Sequence, residues 1–87
     1  VVTSPAVARP RLLLYPAAAS TEGVRLLRIL LMRQTFGAVA RRVGCHAGLV
    51  RRWAREECRP SWQWRVVVEA VAGIQAAAWD DAPRAEQ

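Results

Sequence analysis

Apolar residues recur every three or four positions along most of this chain, and a glycine or proline breaks the recurrence wherever a new segment begins. Over 36–55, Val39, Ala40 and Val43 share one helical face, Gly44 interrupts, and Leu49, Val50 and Trp53 resume the pattern. Glycine accepts the left-handed backbone just past a helix end without steric cost, so Gly44 reads as a stop. The prediction is a helix over 36–43 and another over about 46–56, the second carrying Gly48, Arg51, Arg52 and Arg55 on a separate face. Two helices, a tight glycine turn and an arginine-studded second helix describe a helix-turn-helix of the kind that can enter a DNA groove.

The flanking pattern predicts more helices. Ser20-Thr21-Glu22 is a helix start, a hydroxyl cap followed by an acid where the helix dipole favours it. Val24, Leu27, Leu30 and Leu31 then form an inward stripe over 24–33, flanked by Arg25, Arg28 and Arg33. Leu26, Ile29 and Met32 make this first helix apolar over much of its surface, a surplus that points to a homodimer or a protein partner. Thr35 is placed to cap the second helix. Arg59-Pro60-Ser61 is a stop followed by a start, with Ser61 as the next cap. Trp64, Val67, Val68 and Val71 are the inward stripe of a fourth helix, Gly73 ends it, Ile74 packs behind it, and 76–79 forms a short turn closing the core with an indole. Trp53, Trp64 and Trp79 read as core, Trp62 as partly exposed.

The expected fold is all-α, a compact bundle of four to five short helices. Residues 1–19, with Pro5, Pro10 and Pro16, form a flexible arm whose Leu12, Leu14 and Tyr15 can still pack on the body or a dimer mate. Residues 20–79 are the domain, with the motif at 36–55, and 80–87 form an acidic, frayed tail.

Charge changes the picture more than length does. The 87 residues hold 13 basic side chains, all arginine, against 7 acids, for a net charge of +6. Seven of the arginines fall between Arg41 and Arg65, opposed only by Glu56 and Glu57. Such a surface attracts polyanions. No run approaches the roughly 20 apolar residues of a membrane span, and Leu12-Leu13-Leu14 is too short for an export signal, so a cytoplasmic location is expected. Cys45 reads as a buried thiol, and neither a Cys45–Cys58 pair nor a His46 metal site has the further ligands it needs. One histidine, two separated cysteines and scattered acids assemble no nucleophile with its base, so no enzyme and no cofactor are expected.

With these residues in place, the segment from about 35 to 79 resembles the helix-turn-helix domains of the Cro and phage-repressor type, the XRE family. The resemblance rests on Ala40, Gly44, Val50 and Trp53 at the family spacing, supported by Val39, Val43 and Cys45. Arg59-Pro60-Ser61, Val68-Glu69, Gly73-Ile74 and Trp79 match the family's next helix and its ending. It covers about half of the chain. It implies a DNA-binding transcriptional regulator, cytoplasmic and nucleoid-associated, with the third helix in the major groove of double-stranded DNA as a dimer on a two-fold-related operator. Departures occur where the family reads DNA. Phe36 stands for a common glutamine, His46 for a serine or threonine cap, Ala47 and Gly48 for polar residues, and Glu56 for the glycine after the third helix.

The candidate DNA-binding residues are Thr35, Arg41, Arg42, His46, Ala47, Gly48, Arg51, Arg52, Arg55 and Arg59. Arg51, Arg52 and Arg55 can bond guanine bidentately or hold phosphates, while Arg41, Arg42 and Arg59 suit the backbone. Thr35 and His46 sit at helix starts, where amides can meet phosphate. The alternative is a protein-interaction module, antitoxin-like or an adaptor, with weak or non-specific DNA binding.

Overall fold

The structure, a computed structural model, describes Tyr15 and residues 17–84. Most of the predicted arm and the last three residues of the predicted tail lie outside the described residues. Within them the chain forms four α-helices, α1 Glu22–Leu31, α2 Phe36–Val43, α3 Ala47–Ala54 and α4 Trp62–Ala72, then a 3₁₀ turn, Ala76–Asp80. The all-α class stands.

Each helix starts and stops for a local reason. Thr21 is the extended residue before α1, and its hydroxyl accepts the Val24 amide at 3.2 Å. Ser20, the other hydroxyl of the predicted start, is used elsewhere. α1 ends at Leu31, two residues short of the apolar pattern, because the amides of Met32, Arg33 and Gln34 fold back onto the carbonyls of Ile29 and Leu30. Thr35 caps α2 as expected, accepting the Ala38 amide at 3.0 Å. Gly44 stops α2 with φ 91° and donates its amide to the Ala40 carbonyl at 2.7 Å. His46 and Ser61 occupy the positions before α3 and α4, yet neither side chain makes a capping bond. The expected Ser61 cap is a cap by position only.

Val24, Leu27 and Leu31 of α1, Val39, Ala40 and Val43 of α2, and Val50, Trp53 and Ala54 of α3 meet Val68, Ile74, Ala78 and Trp79 in one core. Trp53 is its centre, with its ring 6.2 Å from that of Trp64 and 6.4 Å from that of Trp79. Leu27, Leu31, Val50, Trp53, Val68 and Trp79 are under 2 % exposed, and burying each side chain is worth about 2 kcal/mol. Several expected core residues are half-buried instead: Leu30, Cys45, Leu49, Trp64, Val67 and Val71. For α4 the reason is its position, because α2 and the 3₁₀ turn are its main neighbours and full cover reaches only Val68.

Arg28 departs most from the pattern. Expected to flank the inward stripe of the first helix, it is itself 5 % exposed, held by protein on every side.

Candidate nucleic-acid interface

α3 has two chemically separate faces. Val50, Trp53 and Ala54 are between 0 and 1 % exposed, and their burial turns Ala47, Gly48, Arg51, Arg52 and Arg55 outward. α2 packs most extensively against α3 and presents Arg41 and Arg42 in its last turn. The buried and exposed halves of the sequence motif are therefore physically separate.

The seven arginines of this region are not equivalent. Arg51, Arg52 and Arg41 are exposed and have no side-chain hydrogen bond or ion pair among the described residues. Arg55 pairs with Glu57 at 3.1 Å with both side chains about half exposed. Such a surface pair contributes at most about 1 kcal/mol, so an arriving phosphate can displace it. Arg42 is engaged internally, donating to the Val71 carbonyl and, at 3.4 Å, to Gln34 Oε1. It ties α2 to the end of α4. Arg59 and Arg65 share the Asp80 carboxylate at 3.0 and 2.8 Å. The Arg65 hydrogen bond, opposed by partial desolvation and reinforced by the nearby Arg59 charge, holds that carboxyl below its usual range. Of the arginines expected at a phosphate backbone, Arg41 alone is unengaged among the described residues, while Arg42 and Arg59 have structural partners.

At the start of α3, His46 is exposed and its side chain makes no capping bond, while its carbonyl accepts the Leu49 amide at 3.0 Å. The Ala47 and Gly48 amides have no acceptor among the described residues and are left to solvent or to an incoming one. The Thr35 hydroxyl accepts a hydrogen bond from Ala38 and keeps its own proton free to donate.

The far end of α3 is fixed by residues that sequence reasoning assigned elsewhere. Arg28 Nε donates to the Ala54 carbonyl and Nη1 to the Ala17 carbonyl, both at 2.8 Å, and Tyr15 lies with its ring centre 4.3 Å from the guanidinium. Glu56 follows α3 with φ 62°, a left-handed conformation that a glycine adopts freely. Its carboxylate accepts the Ser20 amide at 2.7 Å and hydroxyl at 2.5 Å, and lies 3.8 Å from Arg28 Nη2. Burial pushes the Glu56 carboxyl up, but the two Ser20 bonds and the Arg28 and Arg59 charges outweigh it, and the net shift is downward. The one signal for this clamp was an acid where the helix end calls for glycine.

Burial raises the Cys45 thiol, and Cys58 is exposed. Among the described residues no three His, Cys, Asp or Glu side chains gather as a metal site, and no helix is long and apolar enough to cross a membrane. Comparisons of the chain with family models, with characterised proteins and with solved structures returned no match.

Proposed function

We propose that the chain binds double-stranded DNA as a helix-turn-helix regulator of the Cro and repressor type, with α2 across the phosphates and α3 in the major groove. One observation carries this reading. The exposed face of α3 presents Arg51 and Arg52 without an acid partner among the described residues, on a helix whose opposite face is locked into the core. Arginines held rigidly on an exposed helix face suit guanine O6 and N7, or the phosphates flanking them. Arg41 and the loosely paired Arg55 extend the same positive surface. Two copies on a two-fold-related operator would place their α3 helices in successive major grooves, about one turn apart. Such a protein works in the cytoplasm, on the nucleoid.

The test is retention of a labelled duplex by the full chain across a salt series, followed by selection from a random duplex pool. Binding that falls steeply with salt and a palindromic consensus support the reading. No retention of duplex at low salt would sink it.

A second reading has its own observation. Ile29 on α1 is 37 % exposed and Met32, just past its end, 45 %, more apolar surface than that helix needs for its own core. A protein-interaction module would use this face, and a stable partner that masks it, together with weak or unselective DNA binding, would favour that alternative.

A further inference from the structure

The chain has five glycines, and the structure accounts for three of them. Gly44 and Gly73 end α2 and α4 with φ 91° and 76°, a conformation other residues resist. Gly23 lies against the indole of Trp79, where a Cβ has no room. The remaining two, Gly37 and Gly48, have no such reason. Among the described residues, a Cβ placed on Gly48 meets nothing within 4 Å, and one on Gly37 meets only the Thr35 hydroxyl, at 4.0 Å. Neither has a positive φ. Both weaken a helix that is eight residues long.

Their positions are equivalent. Gly37 is the second residue of α2 and Gly48 the second of α3, so both lie in the first turns of the two helices proposed to meet DNA. Gly48 also shares its face with Arg51, Arg52 and Arg55.

We propose that Gly37 and Gly48 are clearance residues for duplex DNA, kept free of a side chain by the partner and not by the fold. Gly48 lets the α3 backbone approach the floor of the major groove, so that Arg51 and Arg52 reach base edges without a side chain ahead of them holding the helix off. Gly37 gives the same room to the sugar-phosphate wall beside α2. This assignment rests on the DNA-binding reading above and names the residues that set the depth of docking.

Stability and affinity then move in opposite directions, which no purely structural role produces. The experiment measures thermal melting and fluorescence anisotropy with a labelled mixed-sequence duplex at low ionic strength. It compares the full-length protein with Gly37→Ala, Gly48→Ala and Gly48→Leu, and with Ala70→Leu on the exposed side of α4 as a control for added bulk. The alanine variants are expected to melt at the wild-type temperature or up to about 5 °C above it. Duplex affinity is expected to fall in the order Gly48→Ala then Gly48→Leu, the latter by about tenfold or more, with Ala70→Leu unchanged. Wild-type affinity in the Gly48 variants would overturn the clearance role while leaving DNA binding intact. A lower melting temperature in the alanine variants would overturn it too, by showing that the fold needs the glycines. A wild-type chain that retains no duplex would remove the DNA-binding reading itself, and this inference with it.

Discussion

The indole of Trp79 lies directly on the backbone of Gly23. A Cβ added at Gly23 would sit 2.5 to 2.8 Å from three of the ring's carbons, closer than non-bonded carbons approach. Trp79 is fully buried and belongs to the tryptophan cluster around Trp53. Gly23 therefore sets how closely α1 and the 3₁₀ turn pack.

Gly23→Ala should destabilise the protein by about 1–3 kcal/mol, the usual cost of overpacking a filled core, even though alanine is the better helix former. Chemical denaturation measures it. Combining Gly23→Ala with Trp79→Leu should cost less than the sum of the two changes, since the smaller side chain leaves room for the methyl. Full additivity would show that the two groups do not compete for space.

Arg28→Met tests the clamp at the end of α3. The methionine keeps the stem but loses the bonds to Ala54 and Ala17 and leaves Glu56 without its guanidinium. Leaving the buried Ala54 carbonyl without its donor costs about 1–3 kcal/mol, and Glu56, exposed and still bonded to Ser20, adds little, whereas Arg52→Ala on the exposed face should change stability by less than about 0.5 kcal/mol. Equal effects at the two arginines would contradict the burial of Arg28.

Glu56 separates backbone strain from side-chain bonding. Glu56→Ala and Glu56→Gly both remove the carboxylate held by Ser20. They differ in the left-handed backbone at φ 62°, which costs alanine about 1–2 kcal/mol more than glycine. The glycine variant should be the more stable by roughly that amount, despite its greater freedom when unfolded, and urea midpoints would show it.

Acid should weaken the fold. The Arg25 guanidinium and the Arg84 amide hold the Glu22 carboxyl down at about 2, against 4.5 when free. The unfolded chain therefore takes up this proton first. The contribution is complete above pH 4.5 and lost as the pH falls toward 2, and the lowered Glu56 and Asp80 carboxyls act in the same direction. Melting temperatures should fall across that window, and Glu22→Gln should flatten the fall while lowering stability at pH 7.

For DNA binding, Arg51→Ala and Arg52→Ala should each reduce the salt slope of affinity by about 0.9 where the arginine meets a phosphate. A loss of sequence preference in one of them would mark the residue that reads a base. Arg42→Ala should act mainly on stability, because that side chain joins α2 to the end of α4.

The amino-acid sequence by itself determined the helices, their stops at Gly44 and Gly73, the Thr35 cap, and which face of α3 turns inward. These are local matters of apolar spacing, cap chemistry and backbone freedom, and adjacent residues settle them. Its arginine excess also marked the region that the proposed function uses. Tertiary structure alone decided which charges remain available there. Arg42 and Arg59 find partners 29 and 21 positions away along the chain, whereas Arg51 and Arg52 find none among the described residues. It also drew Arg28 out of solvent, because the carbonyls it satisfies belong to Ala17 and Ala54, which no helical period connects to α1. Nothing in the local pattern marks Gly23, and only the fold brings Trp79 onto it. Such contacts depend on where distant side chains converge, and a periodic pattern carries no record of that.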